Sequence, residues 1–303
     1  MLIRQLEYLV ALAREKHFAR AAQSCWVSQP TLSEGISRLE ADLGVALVHR
    51  GRRYEGLTPE GDRLVGWARR VLAERDTLLG ELRSGPGSLT GRVRLGAIPT
   101  SLPPIPSITE ALLSRHPDLT VTVHSLNSAE ITRRVEAFEL DGGLTYFDPA
   151  HPSHLRHVPL YEEHYLLLTP GGGPLEGRSS ASWAEAAKLP LCLLTPDMQN
   201  RRILDTQFAA EGTSASPRLE TDSLSVLNGH VRTGRWSTVV PQSWLRVFVL
   251  PPDTLQLSLP DPAAPSTVGL LVQAREPISA IVLALLEAVG TLDLRASFEA
   301  ATS

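Results

Sequence analysis

Apolar residues recur at helical spacing along the first part of the chain. They predict a first helix whose apolar face is formed by Leu2, Leu6, Leu9, Val10 and Ala13. A second helix is expected from about Phe18 to Ser24, and the turn CWVS separates it from a third. Ser28 is a good N-cap for the third helix, which Gly44 ends. Two helices joined by a short turn, the second with a polar outer face, form a helix-turn-helix.

A β-hairpin and a long helix are expected next. Two short extended runs surround a hairpin tip that carries Arg50, Arg52 and Arg53. Thr58 is placed to cap a helix over residues 59–84. Apolar positions seven residues apart in this helix predict a stripe that pairs with a partner helix, at Leu64, Val71 and Leu78. The sequence thus predicts a winged unit over residues 1–58 and a dimerising helix after it.

The pattern changes after the turn-rich residues 85–91, which predict a hinge linker. Short apolar strands then alternate with helical segments, an arrangement that favours parallel α/β layers. Residues 92–303 exceed one compact set of βα units, so we expect two subdomains. The first would comprise about residues 92–161 and 267–303, and the second about residues 162–266. A ligand is expected between them, at the carboxyl ends of strands.

Composition narrows the class of protein. With 43% hydrophobic and 20% charged residues, the chain of 303 residues is typical of a protein with two or three packed domains. Residues 1–84 hold 13 Lys+Arg and 11 Asp+Glu, a net charge of +2, whereas the total is −4. The amino-terminal part therefore favours a polyanion. The first residues lack the apolar core of a signal peptide, and no membrane-length apolar run follows, so we expect a cytoplasmic protein without a membrane partner.

The order of these features resembles the LysR-type transcriptional regulators over essentially the whole chain. The residues that carry the resemblance are LEYLVALAREKHFARAA, VSQPTLSEGISRLEADLGVALVHR, LTPEG, GRVRLGAIPT and DSLSVLNGHVRTGRWSTVVP. The match is specific over the first 65 residues and rests on layout beyond them. The resemblance implies an α+β multidomain fold: a winged helix-turn-helix, a linker helix and an effector domain similar to two-lobed periplasmic binding proteins. Its implied partners are promoter DNA, a small-molecule effector, RNA polymerase and further copies in a homodimer or homotetramer.

The resemblance makes residues 28–43 the recognition helix in the major groove. Its leading end would read bases, since Gln pairs with adenine and the Thr methyl or Pro ring contacts thymine; the residues are Gln29, Pro30, Thr31 and Ser33. Phosphate contacts would come from Ser33, Arg50, Arg52, Arg53 and Thr58. Ordinary surface charge is the alternative for the wing arginines. Glu34 departs from the family pattern, and it either accepts a hydrogen bond from a cytosine amino group or is a solvated acid.

Effector-binding residues are expected where strands end and helices begin. Thr100 and Ser101 follow the first strand, where free N–H groups attract an anion, although the same hydroxyls also serve as caps. Arg201 and Arg202 stand at a helix start, which the helix dipole disfavours unless a carboxylate effector or a neighbouring acid such as Asp205 pairs with them. The remaining candidates for a polar lining are Asn127, Ser128, Thr145 and Asn200.

Other chemistries are less favoured by the sequence. His151, His154 and His157 are three residues apart, but on a loop or strand this spacing does not bring three imidazoles together, so a surface connection is preferred to a metal site. Cys25 and Cys192 each lie among apolar neighbours, which predicts reduced, buried thiols without a redox role. No nucleophile elbow, P-loop or GxGxxG is present, so neither an enzyme nor a cofactor is expected. An α/β small-molecule-binding protein or enzyme without a DNA role is the alternative function.

Overall fold

The computed structural model describes residues 1–49, 54–83, 89–149, 152–261, 266–274 and 278–299. The chain divides into two compact units. The first comprises Met1–Gly91 with Glu136–Glu139, and the second comprises Arg92–Val135 with Leu140–Ser303. Among the described residues no helix is long and apolar enough to cross a membrane.

Four helices build the first unit, as far as its residues are described. They are α1 (Ile3–Glu15), α2 (Phe18–Ser24), α3 (Gln29–Leu43) and α4 (Pro59–Arg83). Ser28 caps α3, because its Oγ accepts a hydrogen bond from the Thr31 N–H at 3.3 Å, and Gly44 ends the helix at a φ of 71°. An antiparallel bridge between Val48 and Leu57 forms the base of the wing.

One apolar core holds these helices together. Leu9 and Leu12 of α1 are completely buried against Leu32 and Leu39 of α3 and the small residues of α2. Burying a leucine side chain is worth about 1.5–3 kcal/mol, so this stripe fixes which face of α3 points inward. The polar face of α3 is left in solvent.

The start of α4 is fastened to the segment that leads into the wing. A Cβ on Gly61 would lie 2.0 Å from the carbonyl oxygen of Leu47, so only glycine permits this approach. The Thr58 N–H donates to the same carbonyl at 3.0 Å. The Thr58 hydroxyl donates to the Ala46 carbonyl at 2.7 Å and accepts from the Gly61 N–H at 3.0 Å.

The apolar stripe of α4 is divided between core and solvent. Leu64 packs partly against the core of the first unit. Val71 is 42% exposed and Leu78 is 55% exposed. Trp67 is also exposed, and the guanidinium carbon of Arg70 lies 5.7 Å from its ring centroid. The exposed apolar surface of this helix therefore starts at Trp67.

In the described part of the second unit, ten strands form the sheets. They are β1 (Gly91–Ala97), β2 (Leu119–Ser125), β3 (Gly142–Tyr146), β4 (Leu155–Glu163), β5 (Tyr165–Pro170), β6 (Cys192–Leu194), β7 (Leu219–Thr221), β8 (Thr238–Pro241), β9 (Thr254–Ser258) and β10 (Ser266–Gln273). The helices are α5 (Ile105–Arg115), α6 (Ser128–Glu136), α7 (Trp183–Ala186), α8 (Gln199–Ala210), α9 (Leu224–Val231), α10 (Ala280–Gly290) and α11 (Leu294–Glu299).

The strands separate into two lobes. Lobe 1 is the five-stranded sheet in the order β2-β1-β3-β10-β4, and lobe 2 contains the sheets β8-β5-β9 and β6-β7. β1 and β3 are parallel, as are β6 and β7, but β10 is antiparallel to both its neighbours and β5 is antiparallel to β8 and β9. The expectation of parallel layers is therefore wrong for every pair that contains β5 or β10. An apolar run predicts a strand but carries no information on its direction.

Two connections join the lobes at one place. The chain leaves lobe 1 after Glu163 and returns at Ser266, and these two residues pair in register. Nδ1 of His164 in the outgoing connection lies 2.7 Å from an Asp261 carboxylate oxygen in the returning one. Because β10 re-enters beside the end of β4, it has to run antiparallel to it.

Substituting Gly61→Ala should destabilise the first unit, because the new methyl group meets the Leu47 carbonyl. We expect a loss of about 1–3 kcal/mol, the usual cost of overpacking, in denaturant unfolding followed by circular dichroism. Gly66→Ala in the same helix is the matched control, since a Cβ there meets nothing within 4 Å. It should gain about 0.5–1 kcal/mol from helix propensity. Equal effects of the two substitutions would contradict the proposed contact.

Candidate DNA-binding and effector sites

The leading end of α3 presents polar side chains to solvent. All five base-reading candidates of the sequence are exposed, namely Gln29, Pro30, Thr31, Ser33 and Glu34. Leu32 between them is completely buried and holds the helix to its core. The hydroxyls of Ser28 and Thr31 are 2.8 Å apart, so the capping group also fixes the side chain of one candidate.

Glu34 has a partner within its own helix. Its carboxylate lies 2.6 Å from a guanidinium nitrogen of Arg38, one turn further along, and both side chains are exposed. An acid four residues before a base is the favourable order on a helix. Neither sequence interpretation of Glu34 included this partner, and the pair of opposite charges adds no net charge to this face of α3.

The predicted phosphate contacts divide into two groups. Arg50, Arg52 and Arg53 lie outside the described residues. Thr58 is buried, and its hydroxyl makes both hydrogen bonds that fasten the start of α4. Its side chain serves the helix cap and is not presented to a phosphate.

Four of the effector-site candidates line one small cavity between the lobes. Thr100, Asn127 and Ser128 come from lobe 1, and Asn200 comes from α8 of lobe 2. The cavity volume is about 10 Å³, which is the space that one water molecule needs. Asn127 caps α6 through the Glu130 N–H at 2.9 Å, and the buried Ser128 hydroxyl makes no hydrogen bond to the described residues.

A larger cleft adjoins this cavity. Its volume is about 410 Å³, within the range of small-molecule sites. It shares Pro99 and Met198 with the small cavity, and its other lining residues are Leu102, Ser125, Leu126, Asp222, Ser223, Leu224, Ser225 and Trp244. The sequence reasoning missed these residues as a site. The available signal was DSLS, residues 222–225, which follows β7 and runs into the first turn of α9.

A buried hydrogen-bond network lies behind the small cavity. The Tyr146 hydroxyl donates to Glu163 Oε2 at 2.6 Å, and the Tyr165 hydroxyl donates to the same oxygen at 3.3 Å. Asn200 Nδ2 donates to the Tyr146 hydroxyl at 3.2 Å, and the Thr100 hydroxyl lies 3.0 Å from it. One tyrosine hydroxyl thus joins lobe 1, lobe 2 and the acid beside the connection between them.

Burial raises the pKa of Glu163 to about 7. Hydrogen bonds from Tyr146, Tyr165 and Thr100 favour the ionised form and oppose this increase. The second carboxyl oxygen, Oε1, is buried without a hydrogen bond to the described residues. The group therefore changes its charge near neutral pH.

The hydroxyls expected to hold an anion are used within the fold. Ser101 donates to the carbonyls of Ile98 and Leu144 at 3.2 and 3.3 Å. Pro99–Ser101 is a short 3₁₀ turn, and α5 starts only at Ile105, so the expected long helix with free N–H groups does not begin at Thr100. Thr145 is completely buried and does not line either cavity.

Arg201 is satisfied by acids rather than left for a ligand. It is 6% exposed, and its guanidinium lies 2.9 Å from Asp205, 2.6 Å from Glu220 and 2.8 Å from the Leu194 carbonyl. The neighbouring-acid alternative accounts for this arginine. Arg202 is exposed and donates to the Asp197 carbonyl at 3.4 Å.

The described residues contain no group of three His, Cys, Asp or Glu side chains placed to hold a metal ion. His151 is outside the described residues, and His157 Nε2 lies 3.2 Å from the Thr145 carbonyl. Cys192 is completely buried, and burial raises its pKa to about 11. Cys25 lies in the other unit, half-buried, with a pKa that burial also raises. A raised pKa opposes formation of the thiolate, the form of cysteine that oxidants attack.

A helix-turn-helix followed by a long helix and a two-lobed sensor with a cleft defines a ligand-responsive DNA-binding regulator. Residues 3–62 match the family model for the bacterial regulatory helix-turn-helix protein of the lysR family. Residues 86–292 match the LysR substrate binding domain. The chain belongs to the LysR family of transcriptional regulators.

Several relatives share nearly the full length of the chain. The DNA-binding transcriptional dual regulator OxyR of Escherichia coli is 32% identical over 297 residues, which cover 95% of each chain. A hydrogen peroxide-inducible genes activator of Haemophilus influenzae is 35% identical over 253 residues, which cover 80% of each chain. A full-length OxyR variant of Pseudomonas aeruginosa has a TM-score of 0.75 at 26% identity, with 95% of this chain and 97% of that chain covered.

A second solved structure has the same fold. CbnR in complex with its target DNA has a TM-score of 0.65 at 22% identity, with 96% of this chain and 99% of that chain covered. The winged helix-turn-helix, the linker helix and the α/β effector domain that the sequence predicted are confirmed as the family's architecture.

Ionisation of Glu163 should make the free energy of unfolding depend on pH. Its folded pKa of about 7 exceeds the ordinary value, so its contribution to stability is complete below about pH 4.5 and is lost as the pH rises to 7. This loss amounts to about 1.4 kcal/mol per pH unit at most. Calorimetry of the full-length chain should therefore show Glu163→Gln gaining stability relative to wild type between pH 5 and 7.

Glu162→Gln is the matched control, because its exposed side chain is adjacent in β4 and faces away from the network. It should follow the wild-type pH profile. Tyr146→Phe removes a hydrogen bond to the ionised carboxyl and should move the Glu163 midpoint to higher pH. Parallel profiles for wild type and Glu163→Gln would contradict a shifted pKa.

Proposed function

We propose that the chain binds promoter DNA with the leading end of α3 and the wing, as a homodimer or homotetramer, and that a small molecule between the lobes changes this binding. The observation that carries the DNA role is the exposed set of side chains at the capped start of α3, above a fully buried apolar stripe. The exposed stripe of α4, formed by Trp67, Val71 and Leu78, supports the pairing of two copies. In an activating complex RNA polymerase would be a further partner.

Substitutions on α3 should separate base reading from charge. We expect Gln29→Ala to reduce the discrimination between operator and unrelated DNA by about tenfold, the effect of losing one bidentate base contact. Glu34→Gln should instead raise the affinity for all sequences and steepen the slope of log K against log salt by about one, because Arg38 is released to a phosphate. The measurement is an electrophoretic shift assay on the chain's own upstream DNA at several salt concentrations.

Gln256→Ala is the control for that assay, since this exposed side chain lies on β9 in the other unit. It should leave both the discrimination and the salt slope unchanged. A wild-type chain that shifts its upstream DNA no better than unrelated DNA would refute the regulator's proposed site. A loss of discrimination in Glu34→Gln would show that the acid reads a base.

We place the effector in the cleft of about 410 Å³, beside the buried network. The sequence suggested that an effector carboxylate would pair with Arg201. That arginine already forms ion pairs with Asp205 and Glu220, so it is not available to an effector. Asp222 is the charged residue among the described lining residues. We therefore propose an uncharged or cationic effector, with an apolar body against Leu102 and Trp244 and polar groups toward the serines.

One relative is named a hydrogen peroxide-inducible genes activator, so we considered whether peroxide could oxidise this chain. Hydrogen peroxide oxidises a protein through an ionised, accessible thiolate. The two cysteines of this chain, Cys25 and Cys192, both have raised pKa values, and Cys192 has no exposed surface. We propose that the response of this chain is noncovalent and does not use a thiol switch.

A thermal-shift assay with molecules of one skeleton and different charge tests the effector site. Benzoate, benzamide and benzylamine serve as probes, and we expect the neutral or cationic member to raise the melting temperature by about 2 °C or more near saturation. Asp222→Asn should abolish the shift caused by benzylamine. Asp253→Asn, an exposed acid in a lobe 2 loop, should leave it unchanged. Stabilisation by benzoate alone would contradict the proposed charge preference.

A further inference from the structure

Trp26 occupies an unusual place in the turn between α2 and α3. Its side chain is 92% exposed, and its φ is +57°, in the left-handed region. Within the described residues, no hydrogen bond or ring contact involves its indole. Exposure of a large aromatic side chain to water is unfavourable. A left-handed backbone conformation is also unfavourable for any residue that has a Cβ.

The hydrogen bonds that end α2 impose this backbone conformation. The Val27 N–H donates to the Ala22 carbonyl at 3.0 Å, and the Trp26 N–H donates to the Gln23 carbonyl at 3.1 Å. This is the Schellman pattern, in which the left-handed position is usually glycine. Val27 packs partly against the apolar core and so fixes the turn. Glycine or asparagine would therefore satisfy the fold better than tryptophan at position 26.

The surroundings of Trp26 indicate what it contacts. It stands just before Ser28, the cap of α3, and the exposed surface continues into Gln29 and Thr31. This surface carries no cation of its own before Arg38, and Arg38 is paired with Glu34. A contact without charge would add affinity where electrostatic attraction is weak.

We propose that Trp26 packs against the sugar-phosphate wall of the groove that α3 enters. The ring would lie on deoxyribose carbons, and the indole N–H would donate to a phosphate oxygen. A side chain with an apolar body and one N–H donor suits such a boundary. The contact touches no base edge, so it strengthens binding to every sequence and leaves the number of neutralised phosphates unchanged. The proposal rests on the proposed DNA-binding function of α3.

Three substitutions of Trp26 test the contact in the full-length chain. Trp26→Gly and Trp26→Asn relieve the left-handed backbone, so we expect the melting temperature to rise by about 2–5 °C. The same variants should bind operator and unrelated DNA about five- to tenfold more weakly, with the salt slope unchanged. Trp26→Phe keeps a ring and should retain most of the affinity without the gain in melting temperature. Stability and affinity would thus change in opposite directions.

The outcomes separate this contact from the regulator's function. Wild-type affinity in Trp26→Gly, with Gln29→Ala still losing discrimination, would overturn the Trp26 contact while the proposed site of base reading stands. A lower melting temperature together with weaker binding would make Trp26 a structural residue and would also overturn it. Unchanged DNA binding with a lost transcriptional response would assign the ring to a protein partner instead. Quenching of indole fluorescence by DNA in wild type, reduced in Trp26→Phe, would support the contact directly.

Discussion

The second unit is organised around a buried carboxyl group that has no cation beside it among the described residues. Glu163 ends β4 next to the point where the chain enters lobe 2, and Tyr146 of lobe 1 holds its oxygen. Asn200 of lobe 2 reaches the same tyrosine hydroxyl. Because an unsatisfied buried polar group is costly, a movement of α8 away from β3 that breaks the Asn200–Tyr146 hydrogen bond requires a new partner for the Asn200 amide. This favours two discrete arrangements of the lobes over a continuous range.

The buried hydrogen-bond network and the cleft adjoin each other and share residues at the contact between the lobes. An effector shifts such an equilibrium only if it binds one arrangement better than the other. Met198 and Pro99 line both the cleft and the small cavity, so a ligand in the cleft would lie against residues that also bound the network. The Trp244 indole, on the cleft wall, donates to the Thr100 carbonyl across the lobes at 3.0 Å. A ligand in the cleft would therefore touch side chains that also join the two lobes.

Sequence reasoning succeeded where the determining interactions are local. The cap of Ser28 on α3 acts over three residues, and both it and the stop at Gly44 follow from residue type alone. It was incomplete where a partner is distant: Arg201 pairs with the nearby Asp205, as one alternative expected, but also with Glu220 19 residues away, and Thr100 contacts Tyr146 46 residues away. Arg201 and Thr100, chosen for free polar groups, thus already have partners within the fold. The exposed face of α3 was predictable because the helical spacing of apolar residues indicates which side is buried, whereas the cleft is assembled from segments far apart in the sequence and leaves no local pattern.

The close approach of Gly61 to Leu47 fixes the direction in which the long helix leaves the wing segment. The segment that leads into the wing and the first turn of α4 form one rigid corner. Three hydrogen bonds involve Thr58, and the Leu47 carbonyl lies directly against Gly61. α4 has 25 residues and is therefore about 37 Å long. A tilt of about 5° displaces its far end by about 3 Å, close to the rise of one base pair. In paired copies of the chain, such a helix would act as a lever arm that converts a small rotation between the copies into a change in the spacing of the DNA half-sites.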